Sequence, residues 1–160
     1  MPKRKSKKPG WIDVKRSVKD IEASQIVELV EELYQLSDEN MNFLHARFIG
    51  GATSLKIYRK IILDSLYADV LDDDDNFDFE KADKAIKTYA NATKDTDGVA
   101  DLMIYYVECG NKFTLDYGDI NEAFYDALIK MYEKAIESIR KMPKRKQDPF
   151  RKRLEKIMKS

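Results

Sequence analysis

The chain predicts an all-α fold of about six or seven antiparallel helices, packed as stacked helix hairpins or as a compact bundle. Three observations predict it. Apolar residues recur at three- and four-residue steps in one segment after another, which places them on single helical faces. No segment alternates apolar and polar residues convincingly as a strand would, and no βαβ pattern supports a nucleotide-binding sheet. Caps and breakers separate the periodic segments by short connections, which favours antiparallel neighbours.

Residues 1–10 hold two prolines, a glycine and five basic side chains without apolar periodicity, and read as a disordered basic tail ahead of one helical domain over 11–160. Ser24 can cap a helix whose Ile26, Leu29, Val30, Leu33 and Leu36 share a stripe. Ser37 can cap a second, with Met41, Leu44 and Phe48, which Gly50 and Gly51 stop. A third runs from about Ser54 to Leu71 with Tyr58, Ile61, Ile62, Leu66 and Val70 inward, and the run Asp72 to Asn76 is a loop because crowded like charges oppose a helix. The fourth covers roughly Phe79 to Thr93, with Ala82, Ile86 and Tyr89 beside Phe79. Asp97 and Gly98 open a fifth with Val99, Leu102, Met103, Tyr106, Gly110 and Phe113. Asp119 and Glu122 stand at capping-box spacing before a long sixth carrying Phe124, Leu128, Met131, Ala135 and Ile139, which Pro143 ends. A basic seventh, about 148–158, has Asp148 as cap, Pro149 at its first position, and Phe150, Leu154, Ile157 and Met158. Leu128, Tyr132 and Ala135 echo the second helix of a tetratricopeptide repeat, which tilts the expectation towards stacked hairpins, although no 34-residue period accompanies them.

Composition sets the class. With 160 residues, 43% hydrophobic and 36% charged, the chain is long and apolar enough to bury one core. A single cysteine, Cys109, makes no internal bridge and points to a reducing compartment. No apolar run follows the basic N-terminus as in a signal peptide, and none is long enough to span a bilayer, so a cytoplasmic protein is expected. The formal net charge of zero hides a segregation. Residues 1–19 carry eight Lys or Arg against Asp13, a net +7; residues 140–160 carry ten against Asp148 and Glu155, a net +8; the middle is therefore −15. Basic ends of this kind can meet the acidic body or a polyanion.

The stretch ADLMIYYVECGNKFTLDYGDINEAFY from Ala100 to Tyr125, with MYEKAI from Met131 to Ile136, resembles a family of small helical bacterial proteins catalogued only as a domain of unknown function. The run QIVELVEELY from Gln25 to Tyr34 is similar to the first core helix of the same family. The resemblance implies a helical fold and supplies no catalytic residue.

No constellation in the chain amounts to a catalytic site, and no enzyme activity or cofactor is expected. The acidic run offers carboxylates to a hard cation, with Asp72, Asp74 and Asp78 as metal candidates; a solvated acidic loop is the leading reading, because Phe77 stands where a calcium loop needs glycine. His45 has no second histidine to share a metal, and Cys109 has none nearby to activate it. Tyr105, Tyr106, Tyr117 and Tyr125 can gather as a partner-binding groove, with core packing as the plainer account. Lys3, Arg4, Lys5, Lys7, Lys8, Lys144, Arg145, Lys146, Arg151, Lys152 and Arg153 can bind phosphate backbones without reading sequence, although no aromatics are interleaved among the tail residues and the acidic middle would repel a polyanion. Trp11 beside Ile12 can anchor the fold or insert into a partner. A helical interaction or scaffold module, binding a protein partner or a second copy, is the expected function; a nucleic-acid-associated protein is the alternative. No membrane partner is expected.

Overall fold

The computed structural model describes residues 8–67 and 77–160, and every regular element among them is an α-helix. The helices are α1 (Trp11–Lys19), α2 (Ala23–Leu36), α3 (Asp38–Phe48), α4 (Gly51–Leu66), α5 (Phe79–Ala92), α6 (Thr96–Tyr117), α7 (Glu122–Arg140) and α8 (Lys144–Met158). Eight described helices exceed the expected six or seven because α1 forms between the basic tail and α2. Its signals are electrostatic. Asp13 in the first turn accepts from the Gly10 N–H at 2.8 Å, and Arg16 and Lys19 sit in the last turn, where they complement the helix dipole.

Several boundaries move by a turn or less, each through a competing cap. Glu22, not Ser24, is the N-cap residue of α2. Ser37 does cap α3, its Oγ accepting from the Asn40 N–H at 3.2 Å. That helix turns inward on Phe43 and Ala46, whereas Phe48, expected in the stripe, is exposed. Gly50 and Gly51 take φ of 66° and 78°, a region that disfavours side chains, and redirect the chain so sharply that α4 starts at Gly51. Ser54, the expected start, is a buried residue inside it whose Oγ donates to the Gly50 carbonyl at 3.3 Å. α4 stops at Leu66; the expected continuation over 68–71 lies outside the described residues.

Asp78 caps α5 by accepting from the Lys81 N–H at 2.9 Å. Asp95, rather than Asp97, caps α6, accepting from the Gly98 N–H at 2.9 Å while the Tyr89 hydroxyl donates to its other oxygen at 2.8 Å. Asn121 caps α7 through the Phe124 N–H at 2.9 Å, and the expected cap Asp119 instead accepts from the Tyr125 hydroxyl at 2.7 Å. α8 begins at Lys144, a turn before the expected Asp148, so Pro149 sits inside it and supplies no N–H for the Arg145 carbonyl. Side-chain contacts hold that first turn: buried Gln147 donates back to the Met142 carbonyl at 2.8 Å, and Lys146 reaches Asp97 of α6.

The chain divides into two compact units, residues 1–41 and 42–160. In the second unit α6 is central and packs against α4, α5, α7 and α8. A helix covered on several sides loses its single stripe, and α6 accordingly buries Ala100, Ile104 and Cys109 as well as Leu102, Tyr106 and Phe113. One core joins Tyr58, Ile62 and Leu66 of α4 to Ile86 and Tyr89 of α5, Leu102 and Phe113 of α6, and Phe124 of α7. A second, smaller core joins Ile104, Ala135, Ile139 and Leu154 across α6, α7 and α8. Each fully buried aliphatic or aromatic side chain here contributes roughly 2 kcal/mol of transfer free energy.

The first unit is built differently. Neither α1 nor α2 contains a buried residue, and the two do not pack extensively on each other.

Candidate functional site

On α2, at 100° per residue, Ile26, Val27, Leu29, Val30, Leu33, Tyr34 and Leu36 fill one half of the helix. Glu28, Glu31 and Glu32 occupy the other half with Gln35. A helix so divided normally buries its apolar half, yet Val27 is 68%, Leu33 43% and Leu36 74% exposed. On α1, Trp11, Val14 and Val18 follow the same three-then-four spacing, and Trp11 is 71% exposed with Ile12 at 66%. Within the N-terminal unit, two consecutive helices therefore carry apolar faces with no buried residue. The periodicity of α2 is plain in the sequence; that the N-terminal unit leaves its stripe without a buried residue is not, because an amphipathic helix reads the same whether its cover lies in the same unit or elsewhere.

The four tyrosines separate. Tyr106 is buried in the larger core, and burial raises its hydroxyl pKa well above the ordinary value. Tyr105 lies under the Arg59 guanidinium, 5.1 Å from its ring centre, and burial pushes it up to about 12. Tyr117 and Tyr125 sit at the far end of α6, in an aromatic group around Phe113 and Phe124, at 4.8 and 6.0 Å from those two rings respectively. Eleven residues of helix, about 16 Å, separate Tyr106 from Tyr117, so the expected common groove is not assembled.

Nearby, Asp116 accepts from Lys112 and from the Tyr67 hydroxyl, which together hold its carboxyl below the usual range, Lys112 having the larger effect. Cys109 is buried beside Tyr105, and desolvation pushes its thiol up to about 11, so it stays protonated at neutral pH. His45 occupies the last turn of α3, where its carbonyl accepts from the Ile49 and Gly50 N–H groups.

Of the metal candidates, Asp72 and Asp74 lie outside the described residues, and Asp78 is engaged as the cap of α5. Among the described residues no three His, Cys, Asp or Glu side chains converge on a metal-sized site.

The basic candidates divide as well. Lys3, Arg4, Lys5 and Lys7 lie outside the described residues, and Lys8 is exposed. On α8, Lys144, Arg145, Arg151 and Lys152 are exposed, but Lys146 and Arg153 turn back onto α6. Lys146 donates to Asp97 at 2.6 Å. Arg153 reaches both oxygens of Glu108, at 2.8 and 2.7 Å, and Asp101 at 2.7 Å. Asp101 also receives Arg59 of α4, at 2.8 Å through Nε. This node ties α4, α6 and α8 together, with only 13% of the Asp101 side chain exposed. Arg153 is held more firmly charged than an ordinary guanidinium, first by Glu108 and then by Asp101 against the cost of burial. Sequence reading missed Arg59, Asp101 and Glu108; the one available signal was two acids seven residues apart in the most apolar stretch of α6.

No helix among the described residues is long and apolar enough to cross a membrane. One family model, described as a family of unknown function (DUF6155), matches residues 8–160. No curated protein and no solved structure matches the chain.

Proposed function

Because the chain belongs to the DUF6155 family, whose function is unknown, we propose a role from its own surfaces: a helical protein-interaction module whose docking element is the N-terminal unit, α1 and α2. The observation that carries this reading is the apolar half of α2, from Ile26 to Leu36, none of which the N-terminal unit buries. Exposed apolar helix faces of this kind are used to seat other helices or to enter a partner's groove. A lipid surface suits α2 poorly, since interfacial helices carry Lys and Arg on their polar face and α2 carries Glu28, Glu31 and Glu32 with no basic residue. Phosphate backbones suit the molecule less well than a protein does, because Lys146 and Arg153 are already spent on Asp97, Asp101 and Glu108.

The test is affinity capture with the tagged full chain and with the double variant Leu29→Glu/Leu33→Glu, each with and without nuclease. The expected result is a defined protein that persists after nuclease and is lost with the double variant. Nucleic acid held equally by both chains and released by salt would overturn the reading in favour of Lys144, Arg145, Arg151 and Lys152.

A further inference from the structure

The two helices of the N-terminal unit differ in charge as sharply as they agree in apolar spacing. α1 carries Lys15, Arg16 and Lys19 against Asp13, a net +2. α2 carries Glu28, Glu31 and Glu32 and no basic residue, a net −3. The charges border the apolar faces: at 100° per residue Lys15 and Lys19 lie along one edge of the Trp11, Val14 and Val18 stripe, while Glu31 and Glu32 lie at the two edges of the α2 band. One short segment thus holds an apolar face edged on one side by positive charge and another flanked on both sides by negative charge.

That pattern is what a two-fold interface requires. An isologous contact brings the same patch of both subunits together, so the patch must contain its own complement. Like-with-like pairing, α1 on α1 and α2 on α2, would set four glutamates, two from each copy, against one another. Exchange, α1 on the α2 of the other copy and the reverse, sets lysines against glutamates twice and covers both apolar faces. We infer that the chain forms a homodimer through its N-terminal unit, with α1 of each copy seated on α2 of the other. This rests on the reading of α1 and α2 as the docking element and names the occupant as a second copy of this chain.

The experiment is sedimentation of the full chain over a dilution series, read alongside the emission of Trp11, the chain's one tryptophan. Two charge variants are compared, Lys15→Glu/Lys19→Glu and Glu31→Lys/Glu32→Lys. Wild type is expected to dimerise reversibly, with Trp11 emission shifting to the blue as it does so. Each charge variant alone is expected to dimerise at least about 10-fold more weakly, and an equimolar mixture of the two to recover wild-type affinity, because each then supplies the charge the other lacks. Leu29→Glu/Leu33→Glu is expected to weaken the dimer by about 100-fold or more and not to be rescued by either. A dimer indifferent to all these changes would overturn the proposal by placing the interface elsewhere. A monomer with Trp11 open to a soluble quencher would overturn self-pairing while leaving α1 and α2 free for a different protein. A monomer with Trp11 shielded from quencher would overturn both, since the chain itself would then cover the face.

Discussion

Asp101 takes two guanidinium groups on one carboxylate, and its removal would leave Arg59 and Arg153 close together without their shared counter-charge. Asp101→Ala is expected to lower stability by about 2 kcal/mol in urea unfolding, short of the cost of a fully buried pair because both arginines keep some contact with water. This node was invisible in the sequence because its members lie 42 and 52 residues apart. Ser37 caps as expected, but two other helix starts were misplaced for the opposite reason, too many candidates close together: Asp95 beats Asp97, and Asn121 beats Asp119, which the Tyr125 hydroxyl claims. Cys109 gives a pH dependence. Burial raises its thiol from an ordinary 9.0 to about 11, so between those values the unfolded chain has lost a proton that the folded one keeps. Stability present below pH 9.0 therefore falls as pH rises towards about 11, and Tyr105, pushed up to about 12, extends the loss further. Urea midpoints measured across this range should fall for wild type, and the portion between pH 9.0 and 10.0, below the ordinary value of the raised tyrosines, should flatten in Cys109→Ala.

Among the elements, α7 was the most legible. Its five expected inward residues, Phe124, Leu128, Met131, Ala135 and Ile139, are the five it buries, because a helix packed on one side keeps a single stripe. α6 was less so, since four neighbours bury residues off any one stripe. The two helices meet closely at Gly110, where an added Cβ would clash with the Leu128 side chain. Leu128 is itself packed, so Gly110→Ala is expected to cost about 1–3 kcal/mol, measured as a lower thermal or urea midpoint, and Gly110→Ala/Leu128→Ala to recover part of the overpacking cost. α1 went unread because its nine residues mix Trp11, Val14 and Val18 with the basic composition of the preceding tail, and nine residues give a weak periodic signal. The first turn of α8 went unread because Pro149 looks like a start, and the turn before it is held by Gln147 on the Met142 carbonyl and by Lys146 on distant Asp97.

At the scale of the whole molecule, the charge segregation counted along the sequence has a partial physical meaning. Part of the C-terminal excess meets acids of the second unit, through Lys146 on Asp97 and Arg153 on Asp101 and Glu108. The all-helical class was legible because nearly every segment repeats near 3.6 residues, and membership of the family was legible in the stretch around Ala100 to Tyr125. The candidate site was not, because burial is a property of the folded structure: the stripe of α2 reads as core until its own unit is seen to leave it unburied. The claim that this stripe is surface and not core is tested most directly by urea unfolding of Leu29→Glu/Leu33→Glu at a dilution where any complex has dissociated. Stability is expected to stay within about 0.5 kcal/mol of wild type, as for surface substitutions. A loss of about 3 kcal/mol or more, as for charges placed in a core, would contradict it.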